Sequence, residues 1–175
     1  MNWGSYFFSF QGRINRAKLW LFIPIMIGIY IVYFFLFSIL FGSSIFAMLK
    51  GGSTGLAAGG ASIGASMLLT CILFIAVLFA SVALTVKRLH DRDKGAVWLL
   101  VFWLLPFILN MIVLVNRFAA MSDGTIATPN AAISLLSLIS FAISIWAFVE
   151  LYCLRGTAGD NRYGPDPLAL PQNAF

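Results

Sequence analysis

Four long apolar stretches dominate this sequence and leave few options for its fold. They run from Leu19 to Phe41, Ser66 to Val86, Val97 to Val115 and Ala131 to about Leu154, and none has a Lys or Arg in its interior. A hydrocarbon core of about 30 Å needs roughly 20 helical residues at about 1.5 Å per residue. Because backbone groups inside a bilayer must bond within their own segment, each stretch is predicted to be a membrane-spanning helix. The expected fold class is all-α, an integral membrane four-helix bundle.

Composition excludes most other classes of protein. Charged residues make up 10% of the chain, whereas a soluble domain carries about 25%, so a soluble enzyme is not expected. The chain has 2 cysteines and 1 histidine. A disulfide framework and a metal site with two imidazoles are therefore excluded, and no cofactor or metal is predicted.

The positions of the cations predict the orientation. Nine of the 11 Lys and Arg residues lie before the first stretch, between the second and third, or after the fourth. These nine are Arg13, Arg16, Lys18, Lys87, Arg88, Arg92, Lys94, Arg155 and Arg162. Cations flanking short loops stay in the cytoplasm, so both termini of this multi-pass protein are predicted to be cytoplasmic. The net charge of +5 then reflects topology and affinity for anionic lipid, and no nucleic-acid partner is expected.

The N-terminal segment, residues 1–18, has an aromatic face. Trp3, Tyr6, Phe7 and Phe10 follow helical spacing, and Gly12 is a natural stop. One interpretation is an amphipathic helix lying in the membrane interface. The other is a cap whose rings pack on the bundle.

Two stretches of small residues leave alternatives open. Residues 51–65 are rich in Gly, Ser and Ala, so they form either a flexible loop or an extension of the second helix. In the fourth stretch Ser134, Ser137, Ser140 and Ser144 share one stripe, which favours a packing seam over a polar conduit. Pro106 is expected to kink the third helix, with Asn110 bonding a freed carbonyl or a neighbouring helix.

The tail, residues 155–175, changes composition at Arg155. Its glycines and prolines favour turns, and Arg162 and Tyr163 among them suggest an ordered cytosolic strap. Residues 1–175 are accordingly predicted to form a single membrane domain with an interfacial segment and this turn-rich tail.

Polar residues concentrate on the predicted cytosolic side. The candidate site is a polar cluster of Arg13, Arg16, Arg88, His90, Asp91, Asp160, Asn161, Arg162 and Asp166. Helical spacing lets Lys87 pair with Asp91, with Arg88 and His90 pointing elsewhere. The cluster is either a structural network joining three segments or an anion site in which arginines bind phosphate oxygens and His90 is a switchable donor.

The sequence contains matches to a catalytic serine motif, but their surroundings do not support a catalytic site. Two G-x-S-x-G matches, at residues 51–55 and 60–64, lack a preceding strand, and His90 is expected on the opposite membrane face. Cys71 and Cys153 are expected to lie too far apart for a disulfide.

Three motifs resemble the bacterial inner-membrane proteins of domain of unknown function family 805. They are Phe10-Gln11-Gly12-Arg13-Ile14-Asn15-Arg16 with Trp20, Arg88-Leu89-His90-Asp91 with Trp98 and Pro106, and the segment from Gly156 to Pro167. Where members often read Ser-Gly-Trp-Trp, this chain has Gly95-Ala96-Val97-Trp98. The resemblance implies a small bacterial inner-membrane protein and brings no established activity. Since its motifs coincide with the three cationic segments, we expect them to assemble into one unit.

A non-enzymatic membrane protein is the favoured function. Its cytosolic cluster would serve a structural, lipid-headgroup or partner-binding role, with membrane lipids, a second copy of the chain or another protein as partners. One alternative is a small transporter or channel component that uses the serine stripe, Asn110 and Glu150. The other is an enzyme acting on a lipid or phosphate compound, with His90 oriented by Asp91 or Asp160.

Overall fold

The computed structural model describes residues 3–122 and 131–169. The described helices are α1 (Trp3–Phe8), α2 (Arg16–Leu49), α3 (Gly52–Asp91), α4 (Leu105–Ser122) and α5 (Ala131–Phe148). A π-helical turn precedes α4 at Leu100–Leu104, and another follows α5 at Val149–Cys153. Four of the described helices, counted with these π turns, are long and apolar enough to cross a bilayer. The prediction of an all-helical protein with four long apolar helices is therefore confirmed.

Large apolar side chains along the long helices remain exposed. Phe34, Phe74 and Phe141 are 64%, 65% and 62% exposed. Patches of this kind are rare on soluble monomers but are expected on helices whose solvent is lipid. The exposed side chains therefore agree with the membrane class predicted from composition.

The described chain forms two compact units, one of residues 3–8 and 20–81 and the other of residues 9–19 and 82–169. In the first unit α2 and α3 form an antiparallel hairpin that turns at Gly51 and Gly52, both with positive φ. A Cβ at Gly55 would lie 2.5 Å from the carbonyl oxygen of Ala47, so the two backbones approach closely. Residues 52–65 are helical and belong to α3, so this segment extends the second membrane-spanning helix and is not a flexible loop.

The N-terminal helix is shorter than its aromatic spacing predicts. Because α1 ends at Phe8, Phe10 does not share its face. The ring of Phe7 lies 6.4 Å from that of Phe22, and the ring of Phe8 lies 5.9 Å from that of Phe79. These contacts support packing on the first unit, and the interfacial position stays a prediction.

In the second unit α4 and α5 are antiparallel neighbours. The amide of Asn110 donates to the carbonyl oxygen of Pro106 at 2.8 Å and to the hydroxyl of Ser140 at 2.9 Å. Directly before Pro106, the N–H of Leu105 donates to the carbonyl of Leu100, the wide spacing of a π turn. Of the two predicted roles of Asn110, the bond to a neighbouring helix is observed, and the serine stripe contributes to a helix seam.

The core of the second unit includes the end of α3. Residues 83–89 are all buried, among them the charged side chains of Lys87 and Arg88. Charge is rarely buried without partners. The end of α3 is therefore expected to hold a network of polar partners.

Candidate functional site

Arg88 is the most deeply buried charged residue of the described chain, with an exposed fraction of 0%. Its Nε donates to the carbonyl oxygen of Leu151 at 2.7 Å. One terminal nitrogen donates to the Asp91 carboxylate and the other to the carbonyl oxygen of Leu154. Arg88 thus neutralises an acid on its own helix and caps carbonyls in and just after the π turn that follows α5.

Arg13 reaches the same acid from the N-terminal segment. Its Nε lies 3.2 Å from Oδ1 of Asp91. One terminal nitrogen donates to the carbonyl oxygens of Gly159 at 2.7 Å and Gly164 at 3.1 Å. The other donates to the carbonyl oxygen of Thr157 at 2.7 Å and to its hydroxyl at 3.1 Å. We call Arg13, Arg88 and Asp91, together with chain segment 154–166, the polar junction.

The backbone of the tail touches Asp91 directly. The N–H of Thr157 donates to the backbone carbonyl of Asp91 at 2.8 Å. A Cβ at Gly156 would lie 2.0 Å from Oδ2 of Asp91, so only glycine fits at that position. The carboxylate of Asp91 is therefore enclosed by two guanidinium groups and a glycine.

A compact turn holds the rest of the tail motif. Asn161 and Gly164 exchange backbone hydrogen bonds of 3.2 Å and 3.0 Å. The amide side chain of Asn161 donates at 2.9 Å both to the His90 carbonyl and to the Thr157 hydroxyl. Oδ1 of Asp160 accepts the N–H of Asp166 at 3.2 Å. The turn is thereby attached to the end of α3.

His90 lies against the tail. Its Nδ1 is 3.3 Å from the carbonyl oxygen of Gly12, and its ring stacks on that of Tyr163 with centroids 3.9 Å apart. Arg162 also lies over the Tyr163 ring, with its guanidinium carbon 4.9 Å from the ring centroid. It forms an exposed ion pair of 3.0 Å with Asp93. His90 therefore has a stacking role, while the Asp91 carboxylate faces the arginines.

The structure brings together all nine predicted cluster residues. Arg16, the remaining member, donates to the carbonyl oxygen of Cys153 at 3.1 Å. The expectation that Arg88 points away from Asp91 is wrong, because the i,i+3 spacing places its guanidinium on the carboxylate. The pairing of Asp91 with Arg88 depends on Arg13 and on the carbonyls of Leu151 and Leu154, which helical spacing within α3 does not reveal.

A second ion-pair set was missing from the predicted cluster. Oε1 of Glu150 lies 3.0 Å from Nε of Arg92 and 2.8 Å from Nζ of Lys94. Lys94 also lies 4.4 Å above the Trp98 ring. Glu150 is the one acid within the four apolar stretches, and that isolation was the available signal for a partner.

Among the described residues, no group of three or more His, Cys, Asp or Glu side chains could hold a metal ion. The junction is instead a network of guanidinium groups and backbone carbonyls. Chemically it can hold segments together and attract anions at its rim.

The tail turn has a defined pH dependence. Hydrogen bonds from the N–H groups of Leu168 (2.9 Å) and Gly159 (3.0 Å) hold the pKa of Asp166 below its ordinary value of 3.8. Because the folded-state pKa is depressed, this stabilisation is present above pH 3.8 and is lost as pH falls through the folded-state pKa.

We therefore expect the amide NMR signals of Gly159 and Leu168 in detergent micelles to titrate with a midpoint below pH 3.8. The Asp166→Asn variant, which cannot titrate, serves as the control and should remove this transition. A midpoint above 3.8 in the unaltered chain would contradict the assignment.

Fold and site together define an all-helical integral membrane protein with a buried arginine network at the end of one long helix. The chain belongs to the family described as Protein of unknown function (DUF805), whose sequence model matches residues 7–165. It is similar to Uncharacterized protein YiiR of Escherichia coli (strain K12), with 28% identity over 165 residues that cover 93% of this chain and 88% of that protein. It is also similar to Inner membrane protein YhaH of the same organism, with 27% identity over 163 residues that cover 93% and 90%. No solved structure matches the chain. The family resemblance inferred from three motifs is confirmed.

Proposed function

We propose that this is a non-enzymatic, multi-pass protein of the bacterial inner membrane whose polar junction is a structural clasp. The clasp joins the N-terminal segment, the end of α3 and the tail on the cytoplasmic side. The observation that carries the proposal is that every guanidinium nitrogen of Arg13 and Arg88 donates to an acceptor within the chain. Arg13 makes five such hydrogen bonds and Arg88 makes three, and their side chains are 1% and 0% exposed, so neither guanidinium is accessible to a substrate.

The placement at the cytoplasmic face is supported by the cations. Nine of 11 lie in the three segments that meet at the clasp or flank it, which is the distribution favoured for cytoplasmic loops. The relative named Inner membrane protein YhaH supports the same compartment. Both termini would then be cytoplasmic.

Contacts of the other candidate groups also favour a structural role. Ser140 accepts a hydrogen bond from Asn110, which uses the centre of the serine stripe for helix packing. Asp160 is bonded within the tail turn and Asp91 to the arginines, so both carboxylates proposed to orient His90 are engaged elsewhere. These contacts give the transport and enzyme alternatives no specific support.

Trypsin sensitivity of the tail tests the clasp and its location together. The tail contains Arg155 and Arg162 as cleavage sites. In inverted membrane vesicles we expect the unaltered tail to resist trypsin. The Arg13→Met variant should lose a C-terminal tag about tenfold faster, because trypsin cleaves the molecules in which the tail is detached from the junction, and this variant increases their fraction. The Arg117→Met variant, changed at an exposed cation of α4, should keep the resistance.

Two results would overturn these claims separately. Tail cleavage by trypsin added to intact spheroplasts would reverse the topology. An unchanged cleavage rate for Arg13→Met would remove the clasp.

A further inference from the structure

The arginines around the polar junction fall into two groups. The side chains of Arg13 and Arg88 are buried and donate from every guanidinium nitrogen, whereas Arg16 and Arg155 are exposed. Arg16 makes its one described side-chain hydrogen bond through a single nitrogen, to the Cys153 carbonyl. The guanidinium of Arg155 makes no hydrogen bond or ion pair with the part of the chain that the structure describes, although its backbone carbonyl is fixed by Arg92. Two guanidinium groups with free donors thus stand beside a rigid network.

A cavity of about 160 Å³ is lined by both of these arginines, and Asn15 and Thr157 contribute to its wall. Sites for drug-sized ligands have volumes of about 300–1,000 Å³. The cavity is therefore too small for a nucleotide or a comparable metabolite, but it can take one phosphate group. Guanidinium forks bind phosphate oxygens in bidentate fashion.

The charge balance at the cavity favours an anion. Two carboxylates line it, those of Asp91 and Asp166. Asp91 is neutralised by Arg13 and Arg88, and Asp166 accepts the N–H groups of Gly159 and Leu168. Three arginines and two aspartates line the cavity, so its wall is net positive by one charge, and Arg13 on Asp91 adds a second.

The start of α2 adds to the positive potential. Arg16 is the first residue of this 34-residue helix, and Asn15 caps it by accepting the N–H of Lys18 at 2.9 Å. Helix N-termini attract anions, so the dipole of α2 reinforces the two guanidinium groups.

We propose that Arg16 and Arg155 form a phosphate-binding site at the rim of the polar junction. The ligand is a phosphate group, supplied either by an anionic lipid headgroup of the adjacent leaflet or by free phosphate. The lipid source rests on the proposed function, since it needs the junction at the membrane surface. The site itself needs only the folded chain.

The test uses the purified full chain with two probes. Inorganic phosphate is added at constant ionic strength in lipid-free detergent, and the midpoint of thermal unfolding is followed. Phosphatidylglycerol is added to the same preparation, with phosphatidylcholine as the zwitterionic comparison, and retained lipid is counted by native mass spectrometry. We expect the unaltered chain to be stabilised by phosphate, to retain phosphatidylglycerol in preference, or both.

The informative variant is Arg155→Gln, because the Arg155 side chain makes no hydrogen bond or ion pair with the described residues and its loss leaves the clasp intact. We expect binding of the responding probe to weaken about tenfold, as befits the loss of one charge-assisted contact. Arg155→Lys should recover part of it. The matched control is Arg117→Gln, which removes an exposed cation of α4 and should leave binding unchanged.

The outcomes separate the ligand sources. A response to phosphate alone identifies the soluble anion, and retention of phosphatidylglycerol alone identifies the lipid. No response to either probe, or an equal loss in Arg117→Gln, overturns the site. Because this measurement is made in detergent and does not use trypsin, its failure is distinguishable from failure of the topology or of the clasp.

Discussion

Replacing Asp91 by asparagine is expected to lower the free energy of unfolding by about 3–5 kcal/mol, the range for breaking a buried ion pair from one side. The substitution keeps the shape of the side chain and removes its charge. Arg13 and Arg88, whose side chains are 1% and 0% exposed, would then face each other's positive charge without compensation. Chemical unfolding in detergent micelles, followed by tryptophan fluorescence, measures the loss.

Asp93→Asn is the matched control for this variant. Asp93 lies two residues away and pairs with Arg162, but the two side chains are 48% and 62% exposed. Exposed ion pairs contribute about 0.2–1 kcal/mol, so this variant should be close to the unaltered chain. Equal effects of the two substitutions would contradict a special role for the buried acid.

Replacing Gly156 by alanine is expected to cost about 3 kcal/mol, the upper part of the range for overpacking. The added Cβ would lie 2.0 Å from Oδ2 and 2.5 Å from Cγ of Asp91. Asp91 cannot rotate away without leaving two arginines, so the tail backbone must move instead. Thermal unfolding of the purified chain measures the effect.

Gly95→Ala provides the comparison for this second variant. A Cβ there would lie 3.5 Å from the hydroxyl of Tyr163, an ordinary contact, and the expected change is within about 0.5 kcal/mol. The double variant Gly156→Ala with Asp91→Asn should lose less than the sum of the single losses, because both act on one contact. Full additivity would show that the two residues act independently.

Hydropathy was enough to predict the four long helices, because lipid-facing helices must be apolar around much of their surface. It could not predict that α3 starts at Gly52. Residues 52–65 have little hydropathy signal, and their helix depends on close packing of Gly55 and Gly59 against α2. The end of α1 was also misjudged, since aromatic spacing continues to Phe10 whereas the helix ends at Phe8.

The sequence was enough to predict which segments carry the polar residues of the candidate site. The distribution of cations and the three motifs pointed to the same segments, and the structure brings their residues together. The partner of Asp91 was not predictable, because helical spacing allows Lys87 at i−4 and Arg88 at i−3 equally well. The pairing with Arg88 depends on the carbonyls of Leu151 and Leu154, more than 60 residues away, and such distant acceptors leave no trace in local sequence.

Arg13 bonds to Gly159 across a sequence separation of 146 residues, and this has a consequence for how the chain is made. During synthesis Arg13 and Arg88 emerge long before the carbonyls that they bind. Their charges must stay hydrated until residues 151–164 have left the ribosome, so the junction closes late in synthesis. A chain that stops before Leu151 would leave both arginines with Asp91 as their one described acceptor, and we expect quality-control proteases to degrade it.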